Sequence, residues 1–160
     1  EKFAPLVDYN LNLHLIGPLQ TNKVKLALSL FDTIQTIDRP KLVNEISKQI
    51  NSAKLFKTKN FFIQINVGNE PQKAGVHPDE AKNFYDFALS KKLNISGLMC
   101  IPPIDEQPDI FFEKMNDIKK FINPNLLLSM GMSNDYEIAL SLGSNLVRIG
   151  SRIFKWINIF

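Results

Sequence analysis

Residues 126–151 read "LLLSMGMSNDYEIALSLGSNLVRIGS", and the alternation inside this stretch decides the fold class. Leu126 to Met130 is an apolar run of strand length. Ser133 then stands where a helix N-cap belongs, with Asp135 and Glu137 in the first turn, where the helix dipole favours acids. Gly143 supplies the stop. A second apolar run, Leu146-Val147-Arg148-Ile149, carries a cation in its middle and opens onto Gly150-Ser151. Strand, helix and strand in that order predict a βαβ unit with parallel strands.

The same alternation extends to the rest of the chain. Leu11 to Leu19 reads as a strand, and Val24, Ala27, Leu28 and Leu30 as a short helix. Thr33 to Ile37 is a second strand, after which Asp38 is expected to cap a helix with Pro40 in its first turn. Leu42, Val43, Ile46 and Ile50 give that helix its apolar face. Phe61 to Val67 is a third strand, followed by the loop "GNEPQKAGV" (residues 68–76) and a helix from Pro78, with Asp79 and Glu80 at its start and Lys91 and Lys92 at its end. Ile95 to Ile101 is a fourth strand, stopped by Pro102-Pro103. Phe111, Met115, Ile118 and Ile122 mark the helix before the opening stretch.

Six near-continuous apolar strands alternating with helices predict a parallel sheet covered on both faces. An open doubly wound sheet and a closed (β/α)8 barrel both satisfy that pattern. The residues placed directly after strands favour the barrel: His14 and Gly17, Asp38, Asn66 and Gly68, Met99, Ser129 to Ser133, Gly150 and Ser151. In a barrel these ends converge on one mouth. There is no G-x-G-x-x-G after a first strand, so a dinucleotide-binding fold is not expected.

Composition narrows the function classes. The chain has 160 residues, 44% apolar and 22% charged, in keeping with a single globular domain over residues 1–160. The net charge of +3 is spread without a like-charge block, so no nucleic-acid partner is expected. No apolar run approaches the roughly 18 residues of a membrane span, and no membrane partner is expected. Cys100 stands alone in an apolar run, which fits an inert thiol and a cytoplasmic protein. His14 and His77, 63 positions apart, have no ligand-spaced companions, so no metal site is expected. Nor is there a Gly-x-Ser-x-Gly elbow.

Several blocks together resemble one family. They are "HLIGPLQTNK" (14–23), "TID" (36–38), "GLMCI" (97–101), "LSMGMSNDYEIAL" (128–140) and "GSNLVRIGSRIF" (143–154). The chain resembles the pyridoxal 5′-phosphate homeostasis proteins, which share the barrel of the alanine racemase N-terminal domain. The resemblance runs over nearly the whole chain. It departs at Lys155, where the family usually continues Ile-Phe-Gly, and in lacking the family's Ala-Val-Ser-Lys-like strand, whose lysine carries the cofactor. Glu1 falls in what resembles the helix after the family's second strand, so the chain is expected to hold strands three to eight. At roughly 30 residues per βαβ unit, the first two βα units would add about 60–70 residues.

The resemblance implies roles residue by residue. Arg148 would lie beside the pyridine nitrogen and, as a fixed cation, disfavour its protonation. The alternative is a structural arginine paired with a buried carboxylate. Gly150 and Ser151 would cradle the phosphate, with Ser129, Gly131 and Ser133 on the other side and Ser129 the more direct ligand. Ser133 is equally a helix cap; the two roles are compatible, because helix N-termini attract phosphate. His14 reads as a contact to the ring or as a satisfied core histidine. Met99 reads as a cofactor contact or as core. Lys73 and Gly75 lie on a mouth loop, where Lys73 would serve an incoming carboxylate or simply be solvated. Gln20, Asn22 and Lys23 read as loop and cap residues, and His77 as a helix start.

The implied function is a protein that binds pyridoxal 5′-phosphate and hands it on to apo-enzymes, monomeric when complete and without strong catalysis; no catalytic residue is assigned. An alanine-racemase-like racemase is the alternative, disfavoured because alanine racemases draw one base from a C-terminal β-domain. A truncated barrel without function is the third reading.

Overall fold

The computed structural model describes residues 11–52 and 55–154. Six strands are separated by helices: β1 His14–Leu15, α1 Val24–Leu30, β2 Thr33–Ile37, α2 Pro40–Ile50, β3 Asn60–Ile65, α3 Ala81–Ser90, β4 Ile95–Cys100, α4 Pro108–Ile122, β5 Leu127–Met132, α5 Tyr136–Ser141 and β6 Leu146–Arg148. Short α6, Ser151–Phe154, follows β6, and 3₁₀ turns precede α1 (Thr21–Lys23) and α3 (Pro78–Glu80). Glu1, where the sequence resembles a helix, and Lys155 lie outside the described residues.

All neighbouring strands pair in parallel, and their order in the sheet is their order in the chain. Each crossover therefore steps the same way. Because such crossovers are right-handed, every connecting helix falls on the same face of the sheet. A doubly wound sheet reverses direction at a switch point; this one does not. The sheet also curls. In a flat sheet β2 and β5, three strand spacings apart, would lie roughly 14 Å from each other. Yet the Ser129 hydroxyl on β5 donates to Gln35 Oε1 on β2 at 2.6 Å. The architecture is a parallel half-barrel with helices on its convex side.

The convex side holds the core. Ile34, Ile63, Ile65, Leu98, Leu128 and Met130, at alternate strand positions, pack in one cluster with Leu28, Val43, Ile46, Ala88, Phe112 and Met115 from the helices. Strand period two and helix period 3.6 thus deliver their apolar stripes to the same layer.

Three local expectations are corrected. The strand expected over Leu11–Leu19 shortens to His14–Leu15. Among the described residues it pairs only with β2, the Leu13 amide donates to the Asp32 carboxylate at 2.8 Å, and Pro18 has no amide hydrogen to give a ladder. Asp38 does not cap α2; its carboxylate pairs with Arg39, which holds the N-cap position without a side-chain bond. Ser133 does not cap α5, whose N-cap is Asp135, while Asp135 Oδ1 accepts from the Met132 amide at 2.6 Å. Gly143, at φ +85°, ends α5 in the left-handed conformation that suits glycine.

Candidate functional site

Parallel strands bring their carboxyl ends to one rim, and there the half-barrel opens a cavity of about 970 Å³. Its wall comes from residues 101–104 after β4, 132–135 at the end of β5, and 146–151 of β6 and beyond, with His14 and Gln35 reaching it from β1 and β2. Of the residues singled out from the sequence, His14, Ser133, Arg148, Gly150 and Ser151 line this cavity.

Arg148 is the one permanently charged cation among the described residues lining the cavity. Its guanidinium donates through Nη1 to the Ser129 carbonyl (2.9 Å) and hydroxyl (2.8 Å), and through Nη2 to the Cys100 carbonyl (2.7 Å). Among the described residues it makes no ion pair with a carboxylate. Burial pushes its pKa down, Cys100 and Asp135 push it back up, and a guanidinium remains charged throughout. A largely buried cation held only by neutral oxygens leaves its charge available to an electron-rich group in the cavity. The neighbouring Cys100 thiol is pushed up to about 12 by burial, against the pull of Arg148, and stays protonated.

The rim beside Arg148 is small and polar. Ser133, 8% exposed, accepts from the Gly150 amide through its hydroxyl at 3.3 Å. An added Cβ on Gly150 would meet nothing within 4 Å, so no atom of the described residues fills the space beside that backbone. Ser151 begins α6 and is exposed.

Ser129, Met99 and Gly131 are not part of the cavity wall. Ser129 lies fully buried beneath Arg148, with its one hydroxyl proton given to Gln35. Met99, also fully buried, pairs in register with Gln64 and Ser129. Gly131 has φ +95°, and a Cβ there would come within 2.6 Å of Ala139 Cβ and 3.1 Å of Tyr136 Cα, so glycine lets α5 close onto β5. Lys73 pairs with Glu70 and donates to the Pro102 carbonyl at 3.2 Å, which ties the 68–76 loop to the one after β4. His77 accepts from the Asp79 amide at 3.3 Å, at the helix start. Gln20, Asn22 and Lys23 do not reach the cavity.

Gln35 was not singled out by the sequence. It sits in "TIQTI" at 2% exposure and bonds His14 Nδ1 at 2.7 Å as well as Ser129. Its one sequence signal is an amide between Ile34 and Thr36 in a strand that is buried throughout. Among the described residues no cluster of three or more His, Cys, Asp or Glu could hold a metal ion, and no helix is long and apolar enough to cross a membrane.

A parallel half-barrel with a partly buried cation at its carboxyl rim narrows the choice of family, and comparison settles it. The chain belongs to the family of the alanine racemase N-terminal domain, whose profile matches residues 8–156, and within it to the pyridoxal phosphate homeostasis proteins. A protein of that name from Aquifex aeolicus is 35% identical over 96% of this chain and 71% of its own length. Another from Haemophilus influenzae is 39% identical over 91% of this chain and 65% of its own. The chain thus spans about two thirds of the length of these relatives. The structure of PipY from Synechococcus elongatus, solved with PLP bound, superimposes with a TM-score of 0.78 at 27% identity, covering 96% of this chain and 75% of that one.

Proposed function

We propose that this chain binds pyridoxal 5′-phosphate in the cavity at the carboxyl ends of its strands, as a cytoplasmic protein that stores the cofactor and hands it to apo-enzymes. The observation that carries this reading is Arg148, a partly buried cation lining the cavity with neutral oxygens as its partners. The open space at Gly150 and the donors of Ser133 and Ser151 support a phosphate cradle beside it. The volume lies in the range of small-molecule sites.

When bound, the cofactor supplies an electrophilic aldehyde and a pyridine ring that acts as an electron sink once its nitrogen is protonated. Arg148 opposes that protonation, because a second positive charge beside a permanent cation is disfavoured. Ser129 and the Cys100 carbonyl hold the guanidinium in place. These residues favour holding the cofactor over driving carbanion chemistry. Among the described residues lining the cavity there is no lysine, so the binding proposed for this chain is non-covalent.

Equilibrium dialysis against pyridoxal 5′-phosphate tests the proposal. Saturable binding is expected, weakened about one to two decades by Ser151→Ala, in line with the ~1.5–3 kcal/mol of a hydrogen bond to a charged group. Gly150→Val should weaken it as well by filling the cradle, without strain in the free protein. Unchanged affinity in both variants would place the phosphate elsewhere. Borohydride reduction and peptide mapping should show only sparse labelling of surface lysines; stoichiometric labelling of one lysine would overturn the non-covalent reading. No racemase turnover is expected in an alanine assay.

A further inference from the structure

Four side chains from four strands form one hydrogen-bonded chain across the concave face. Arg148 Nη1 lies 2.8 Å from Ser129 Oγ, Ser129 Oγ lies 2.6 Å from Gln35 Oε1, and Gln35 Nε2 lies 2.7 Å from His14 Nδ1. The guanidinium has donors only, so it fixes the direction of the whole chain. Ser129 must accept from it, and gives its single proton to the carbonyl end of Gln35. The amide end of Gln35 then faces His14, and an N–H can bond only to an unprotonated ring nitrogen. His14 must therefore carry its proton on Nε2.

We propose that Gln35 is the positioning residue of this site: it locks His14 in the Nε2–H tautomer and, through Ser129, fixes the guanidinium of Arg148. Arg148 also donates through Nη2 to the Cys100 carbonyl at 2.7 Å, so the relay ends on a cation held through both terminal nitrogens. His14 lines the cavity, and its remaining polar group is then an N–H donor and not a lone pair. The site accordingly selects a ligand that offers His14 an acceptor, such as a phenolate or carboxylate oxygen. Burial holds the imidazole neutral, opposed by Asp32, which is itself paired with Lys57 at 3.0 Å. Lys59, Glu106, Asp135 and Arg148 are the other charged groups around the cavities that His14 lines.

The inference rests on the proposed cofactor site only for what the positioned groups serve, because the hydrogen-bond order is fixed without ligand. Long-range ¹H–¹⁵N correlation spectra of the histidine-labelled full chain, without cofactor at neutral pH, read it directly. With only two histidines in the chain, His77→Asn assigns the spectrum. Wild-type His14 should show the Nε2–H pattern; an Nδ1–H pattern would overturn the proposal even if every variant failed to fold. Gln35→Glu keeps the shape but offers acceptors only, so His14 should shift to protonation at Nδ1 and titrate at higher pH. Gln35→Met should give mixed tautomers. Folded variants that both keep the wild-type pattern would reduce Gln35 to packing. A chain that shows the Nε2–H pattern yet does not bind pyridoxal 5′-phosphate would sink the cofactor reading and leave this one standing.

Discussion

The convex face of the sheet sets Ile34, Ile63, Leu98 and Leu128 against Leu28, Ile46 and Phe112, all at most 2% exposed. The concave face, one residue along the same strands, sets Gln35 and Ser129 in a chain that ends on His14 and Arg148. Gln35 and Ser129 are nearly as buried as Ile34 and Leu128 beside them. The convex face gains stability from area removed from water, which has no direction and tolerates exchange among apolar residues of like volume. The concave face must satisfy every donor and acceptor, so it tolerates few alternatives. The first face therefore sets stability, and on the proposed cofactor reading the second would set which ligand fits.

The largest expected effect lies on the convex face. Phe112→Ala removes a fully buried ring from α4 and should lower the unfolding free energy by about 3–5 kcal/mol in urea titrations. Cofactor affinity of the folded fraction should not change; a parallel loss of affinity would mean that the two faces are coupled.

Arg148 breaks the concave face. Arg148→Lys and Arg148→Met each strip donors from the Ser129 and Cys100 carbonyls and should cost about 1.5–3 kcal/mol of stability. Only the methionine variant also removes the charge, so only it should lose most of the cofactor affinity. Equal losses of affinity in both would show that the fork geometry and not the charge holds the ligand.

Gly97→Ala probes close packing between neighbouring strands. Its Cβ would meet the Leu127 carbonyl oxygen at 2.6 Å as well as the Phe62 ring. The backbone oxygen cannot swing aside, and a loss of about 1–3 kcal/mol is expected from thermal or urea melts. A neutral substitution would show that β4 and β5 slide freely.

The smallest effect is that of pH on the unliganded protein. The His14 pKa lies below its ordinary value in the folded chain because burial disfavours the imidazolium. As pH falls below about 6.5, the unfolded chain takes up the proton first, so stability decreases with acidification. It levels off once pH passes the lower folded value. His14→Asn should flatten this part of the stability–pH curve; a wild-type curve already flat there would contradict a neutral, half-buried His14.

Much of the fold was legible because it is local. Apolar spacing within ten or so residues gives α2, α3 and α4, and the left-handed Gly143 closes α5 where the sequence puts its stop. Capping was legible only in part. Asp38 and Ser133 both have the right chemistry for an N-cap, but Arg39 draws off the first and the Gly150 amide the second.

What the sequence determined by itself is the order of elements, the parallel α/β class and the family, because each is written in short-range periodicity or in contiguous motifs. What only the tertiary structure decided is the use of the polar residues inside the half-barrel. Gln35 and Ser129 stand 94 positions apart, and no pattern along either strand states that they meet. They meet because the sheet curls, and curling brings every inward side chain to a common axis. There a hydroxyl has one proton to give and a guanidinium has no lone pair to accept with, so the partners each group finds fix what remains available to a ligand.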